Sequence, residues 1–264
     1  MAKYALRLIA LVYLLFLLVL PVGVIGWRTF RHGVSPFVNG LTEQSTEHAM
    51  QVTLTVTVWA VALNTVFGIG VALLLVRRRF PGKRLLNAVI DLPLAVSPVV
   101  VGLALILVYG KLTPIGGWFE RNGFQIIFAT PGMVLATVFV SLPLVVRAVV
   151  PVLEELGDDQ EQAARTLGAG PWQTFRRITF PGIRAALAYG VVLCLARALG
   201  EYGAVAVVSG RLENQTQTLT LVVEDRLGNF DQQAAYAVAT LLALIAIVAL
   251  IVARLLQPKD GNRR

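Results

Sequence analysis

Cysteine occurs once in this sequence and histidine twice, and each scarcity closes off a class of chemistry. Cys194 has no second thiol in the chain to join; it stands inside an apolar run and reads as a small core residue. His32 and His48 lie apart in polar stretches, without the neighbouring Cys, Asp or Glu that a metal site needs. Charge is scarce as well. Only 14% of the residues are Asp, Glu, Lys or Arg, against about 25% in a soluble domain. Gly-x-x-x-x-Gly-Lys-Ser/Thr occurs nowhere, so the chain offers no phosphate cradle. Nor is there a Ser/His/Asp set, or a carboxylate pair beside a histidine. The sequence therefore predicts no catalytic residue, no metal ligand and no cofactor held by this chain. Two further absences bear on transport. The alternation of a membrane β-barrel is missing, and no repeat relates the two halves, which argues against a secondary transporter.

What the chain has in abundance is apolar sequence, 56% of its 264 residues, gathered into long runs. About 20 apolar residues are needed to cross the hydrocarbon core, and residues 6–27, 52–76, 88–109, 131–153, 186–208 and 234–256 qualify. Backbone polar groups cannot go unpaired in lipid, so runs of this length predict helices. The expected fold is an all-α polytopic membrane protein with six transmembrane helices. The first run continues past Pro21 to Trp27 with no small-residue cleavage site, which reads as a retained helix rather than a signal peptide.

The net charge of +8 fits cytoplasmic loops rather than nucleic acid, because no basic stripe with interleaved aromatics exists. With the N-terminus inside, Lys3, Arg7, the Arg77-Arg78-Arg79 run, Lys83, Arg84, Arg165, Arg176, Arg177, Arg184, Arg254, Lys259, Arg263 and Arg264 fall on the cytoplasmic side. The other side holds only Arg28, Arg31, Lys111, Arg121, Arg211 and Arg226. This bias places both termini in the cytoplasm.

The cytoplasmic loop at about 154–184 is the informative one. Asp158 or Asp159 stands where a helix cap belongs, and Glu161 adds acid to the first turn. Ala163, Ala164 and Leu167 share one small apolar face, and Gly168 followed by Pro171 ends the helix. A second short helix is expected over 172–178, stopping before Pro181. Small residues let another backbone approach closely, so this is a docking helix.

Gln162-Ala163-Ala164, three residues, Gly168, nine residues, then Ile178-Thr179-Phe180-Pro181 resembles the EAA loop of ABC importer permeases, with Gln162 in place of Glu and Phe180 in place of Leu. Asp91-Leu92-Pro93-Leu94-Ala95-Val96-Ser97-Pro98, Ala196-Arg197-Ala198-Leu199-Gly200-Glu201-Tyr202-Gly203 and Gln215-Thr216-Gln217-Thr218-Leu219 are similar to the sulfate/molybdate branch of that family, although Thr220 stands where Pro is expected. The resemblance implies the type I importer permease architecture. It assigns ATPase coupling to Glu161, Gln162, Ala163, Ala164, Leu167, Gly168, Ile178 and Pro181. It also implies the partners: a second, CysT-like permease, two copies of a cytoplasmic ABC ATPase carrying ATP and Mg, and a periplasmic or lipid-anchored sulfate-binding protein. The domain division it implies is a first helix and periplasmic loop at 1–50, a transmembrane domain at 51–256 and a cytoplasmic tail at 257–264, in a bacterial inner membrane.

Charges inside spans are costly and mark function or pairing. Arg197 and Glu201, four apart on one predicted helix, read either as a gate beside the anion path or as a packing pair. Pro93 and Pro98 around Ser97 predict a kinked third span that either lines the pathway or serves packing. Ser97, Pro98, Arg197 and Glu201 are the pathway candidates, and Arg147 is expected to snorkel to the cytoplasmic headgroups. Sulfate or thiosulfate is the expected cargo, with molybdate or tungstate the alternative. A secondary transporter or a structural scaffold is the rival from another class.

Overall fold

A computed structural model describes residues 2–31 and 33–256. Met1, His32 and the expected tail 257–264, with Lys259, Arg263 and Arg264, lie outside the described residues. Among the described residues every regular element is a helix. In chain order these are α1 (Leu6–Phe30), α2 (Ser35–Thr42), α3 (Gln44–Arg77), α4 (Lys83–Ala95), α5 (Pro98–Tyr109), α6 (Pro114–Arg121) and α7 (Thr130–Leu156). There follow α8 (Asp159–Thr166), α9 (Pro171–Leu199), α10 (Gly203–Val208), α11 (Leu219–Gly228) and α12 (Gln232–Leu256). Five of them, α1, α3, α7, α9 and α12, are each long and apolar enough to cross a membrane, and α4 with α5 form a bent pair.

The bundle is organised around α7. Of its most apolar 18 residues, 61% are buried inside the protein, against none for α1. An apolar cluster toward one end joins Val52 and Val56 of α3, Met133 and Val140 of α7, Val101 of α5, Val205 and Val208 of α10 and Leu221 of α11. A second cluster toward the other end joins Ala72 of α3, Val145, Val149 and Leu153 of α7, and Ile183 and Leu187 of α9. Between them sits a polar node. The fully buried Asn64 amide donates to Ser141 Oγ at 2.8 Å and to the Val138 carbonyl at 3.2 Å, and reaches Cys194 Sγ at 3.5 Å. Cys194 is the buried, unpaired core residue expected of it.

Lipid supplies no hydrophobic drive between helices, so close packing must hold them together. Two glycines make this possible at the centre. A methyl group at Gly68 of α3 would meet Val145 Cγ1 at 2.7 Å, and one at Gly190 of α9 would meet Ala148 Cβ at 2.8 Å and Val145 Cα at 3.2 Å. α7 is thus gripped from two sides where its neighbours have no side chain.

Four expectations need correction. The third span is not one kinked helix: α4 and α5 are separate and bent by 114°. Pro93 sits inside α4 without breaking it, whereas Val96 (φ −90, ψ 136) and Ser97 (φ −60, ψ 134) are extended. The ring of Pro98 disfavours a helical conformation in the residue before it, and the proline has no N–H to continue the ladder. The fifth span does not reach Val208 but stops at Leu199, and α10 restarts after a break at Gly200–Tyr202. Pro181 does not stop a helix; α9 runs through it. A π-turn at Phe175–Thr179 precedes Pro181, as another at Leu15–Val19 precedes Pro21. The wider turn gives each pyrrolidine ring the room that a regular α-turn denies it. Finally, Arg147 is not a lone charge left to the headgroups. It holds the Asp91 carboxylate, with Nε to Oδ1 at 2.8 Å and Nη2 to Oδ2, and reaches the Asn87 carbonyl.

Candidate functional site

The loop after α7 is compact. Gly157 turns the chain (φ 61, ψ −168), and α8 begins with Asp158 as its cap residue, contributing its carbonyl to Gln162 N–H rather than its side chain. Gly168 ends α8 in the left-handed region (φ +83), where glycine has no Cβ penalty. The Gly168 and Ala169 amides close back on the Arg165 and Ala164 carbonyls.

Outside this frame the surface is unexpectedly apolar. Leu167 is 88% exposed and Trp172 69% exposed. Gln162 and Ala163 are exposed beside them, and Ala164 is half-buried. Ala164, Leu167, Gly168, Ala169, Gln173, Thr174, Arg177 and Ile178 line a groove of about 330 Å³ between α8 and the start of α9. Ile178 is half-buried and Pro181 exposed. Trp172 stacks on Phe175 at 5.6 Å. Of the assigned residues, Ala164, Leu167, Gly168 and Ile178 line the groove, and Gln162, Ala163 and Pro181 are exposed outside its lining. Glu161 points the other way and is buried, bound by Arg77 at the end of α3 and by the Thr179 hydroxyl at 2.9 Å.

The pathway candidates also come together. α10 lies against α5 so closely that a methyl group at Gly203 would stand 3.0 Å from Pro98 Cβ, and one at Gly102 would stand 2.8 Å from the Ala204 carbonyl. The break at Gly200–Tyr202 is thus set beside the break at Ser97–Pro98. Glu201 is not on α9, as its spacing from Arg197 suggested; it lies in the break before α10, accepting the Ala204 N–H at 2.9 Å. Arg197 Nη1 still approaches its Oε2 at 2.9 Å, close enough for an ion pair though not aligned as a hydrogen bond. Glu201 is almost wholly buried, while Arg197 is partly open and Ser97 exposed.

Sequence reasoning missed Arg77, Thr179 and Asp91. Asp91 was the findable one: it is the acid within the third apolar run, and Arg147 is a base within the fourth, and intramembrane charges pair. Arg77 was hidden among three consecutive arginines that read as an undifferentiated basic loop.

The family model described as "Binding-protein-dependent transport system inner membrane component" matches residues 64–259. The chain belongs to that family. Among curated relatives, this inner membrane component is 48% identical over 262 residues to the sulfate transport system permease protein CysW of Synechocystis sp., covering 99% of this chain and 95% of that one. It is 44% identical over 248 residues to CysW of Escherichia coli K12, covering 94% and 85%. It is also 35% identical over 254 residues to the CysT permease of the same bacterium, covering 96% and 92%. Among solved structures, a bacterial ABC transporter involved in the import of the acidic polysaccharide alginate superposes with a TM-score of 0.76 over 97% of this chain and 93% of that one, at 18% identity. The fold is that of an ABC importer permease, an integral protein of the inner membrane.

Proposed function

We propose that this chain is one of two permease subunits of an ATP-driven importer of sulfate or thiosulfate, coupled through α8 to a separate ATPase. The observation that carries the reading is the exposed apolar surface of Leu167 and Trp172 at a groove between α8 and α9, placed beyond the end of a membrane helix. Large apolar groups left in water at such a place suit a partner's cleft. CysW and CysT are separate relatives within one bacterium, which supports a heterodimer with a CysT-like permease. Two ATPase subunits would bind ATP and Mg, leaving this chain with no nucleotide or metal of its own. A periplasmic or lipid-anchored sulfate-binding protein would deliver the anion to the outer face.

Both termini would then lie in the cytoplasm, with 1–50 as the first helix and its periplasmic loop, 51–256 as the transmembrane domain and 257–264 as a tail. The facing breaks supply the pathway surface. Irregular backbone at membrane depth is tolerated where it lines a cavity or is covered by protein, and Ser97 and Gly200 are exposed within this subunit. The amides at the start of α5 attract an anion, and Arg197 adds a full charge. Glu201 weakens that charge enough for a dianion to leave.

The test is co-purification from native membranes followed by ATP hydrolysis in the reconstituted complex. An associated ATPase stimulated by sulfate-loaded binding protein supports the reading, and stimulation by molybdate alone replaces the substrate. Absence of any ATPase overturns the assignment. An Ala163→Glu change should abolish uptake by burying an unpaired charge at the interface.

A further inference from the structure

Glu161 stands in the docking loop but faces away from the docking surface, and what it meets there is unusual in number and in reach. The Arg77 guanidinium donates from Nε to both Glu161 oxygens at 3.2 Å and from Nη2 to Oε1 at 3.1 Å. Its remaining donors go to backbone: Nη1 to the Leu153 carbonyl at 3.0 Å and Nη2 to the Gly157 carbonyl at 2.7 Å. Glu161 Oε1 also accepts from the Thr179 hydroxyl at 2.9 Å. The two charged side chains are only 17% and 9% exposed.

Each contact lies on a different element. Arg77 is the last residue of α3; Leu153 is in the last turn of α7, where helix carbonyls lack intrahelical partners; Gly157 is the hinge between α7 and α8. Glu161 is in the first turns of α8, and Thr179 closes the π-turn of α9. Without this junction α8 is joined to its neighbours by Gly157 on one side and Gly168–Gly170 on the other, which are flexible links. A push on α8 would then be taken up by rotation about the glycines.

We propose that Arg77 and Glu161 form a strut that makes α8 move as one body with the ends of α3, α7 and α9, so that force from the ATPase reaches the spans. The proposal rests on the reading of α8 as the ATPase-docking helix. Arg77 and Glu161 are positioning residues: neither meets the cargo, and the strut leaves the docking groove untouched. A planar guanidinium suits the task because its fork holds a carboxylate and carbonyls in fixed directions, which a lysine ammonium does not.

The experiment uses the whole importer reconstituted in vesicles with sulfate-loaded binding protein, and reads three quantities: ATPase retained on the permease, ATP hydrolysed, and radiolabelled sulfate taken up. Arg77→Ala and Glu161→Gln should keep the ATPase bound and hydrolysing while uptake per ATP falls about fivefold or more, the lower range of an inter-site coupling free energy. The double variant should be no worse than the poorer single, since both remove the same junction. Thr179→Val, which deletes one donor and keeps the ion pair, guards against misfolding of the stronger variants and should give a smaller fall in the same ratio. Unchanged uptake per ATP in Arg77→Ala overturns the strut. Loss of bound ATPase in Glu161→Gln also overturns it, by giving Glu161 a docking role. The docking reading fails separately, if Ala163→Glu leaves both assembly and uptake intact.

Discussion

The two glycine contacts on α7 make a prediction whose size and pattern follow from the packing distances. Carbon atoms pack comfortably at about 3.5–4.0 Å, yet a methyl group at Gly68 would stand 2.7 Å from Val145 Cγ1 and 2.9 Å from its Cβ. Gly68→Ala must therefore drive α3 and α7 apart by nearly an ångström or force Val145 off its rotamer. Overpacking of this kind costs about 1–3 kcal/mol. At about 2–4 °C per kcal/mol for a chain of this order of size, the thermal midpoint of the purified complex should fall by about 2–12 °C. Gly190→Ala should fall comparably, but against a different atom, Ala148 Cβ at 2.8 Å. Rescue must then be specific. Val145→Ala deletes Cγ1 and should relieve Gly68→Ala in part, since Cβ remains. It should do nothing for Gly190→Ala, whose contact with that residue is to Cα. Ala148→Gly should relieve Gly190→Ala and not Gly68→Ala, after allowing about 1 kcal/mol for a helical glycine. Size-exclusion profiles after graded heating, on both singles and all four pairs, read this directly. Rescue that ignores the pairing, or glycine variants that melt with the parent, would refute the argument that α7 is set by close approach.

Other sites give sharper or smaller effects. Asp91→Asn leaves Arg147 without its carboxylate; because both groups are partly open, the loss should be about 1 kcal/mol or less, seen as lower yield in membranes and recovered by adding Arg147→Gln. Leu167→Ser combined with Trp172→Ser should weaken retention of the ATPase at least tenfold, as truncation of apolar anchors does, with no change in the permease's own thermal midpoint. Glu201→Gln keeps an oxygen for the Ala204 N–H but removes the charge facing Arg197. Sulfate uptake should drop about tenfold while the binding protein still docks, and an unchanged uptake rate would show that the pair serves packing only.

Much of the architecture was legible because the membrane imposes a length and a composition. α7 and α12 extend only a few residues beyond the runs read from sequence, whereas α3 begins two turns earlier, at Gln44. Apart from Arg147, the errors concern proline and glycine, whose effect depends on neighbours. Pro98 breaks the third span while Pro93 does not, and Pro181 is absorbed by a π-turn that no apolar pattern announces. That Ala164, Leu167 and Gly168 share a face was readable from their spacing, because helical periodicity fixes which side chains lie together. The inward turn of Glu161 was not. It depends on Arg77, 84 positions away, and only the packing of α3 against α7 brings the two together.

The same packing joins the two regions the sequence treated as separate. α9 is continuous from Pro171, beside the docking groove, to Leu199, one residue short of the break that faces Ser97 and Pro98. A helix of 29 residues is about 43 Å long, and its close contact with α7 at Gly190 lies unevenly along it. Taking about 1.5 Å per residue, that contact is about 28 Å from Pro171 and about 15 Å from Gly200. A rigid rod pivoting there moves its inner end half as far as its outer end, and in the opposite direction. The glycine that permits the contact, the π-turn that keeps α9 unbroken through Pro181, and the break after Leu199 that frees its far end are therefore parts of one lever. Each is set by a residue whose role is steric, and the charged pairs sit near the two ends: Glu161 with Arg77 at one, Arg197 with Glu201 at the other, which under the proposed function are where force would enter and the anion would pass.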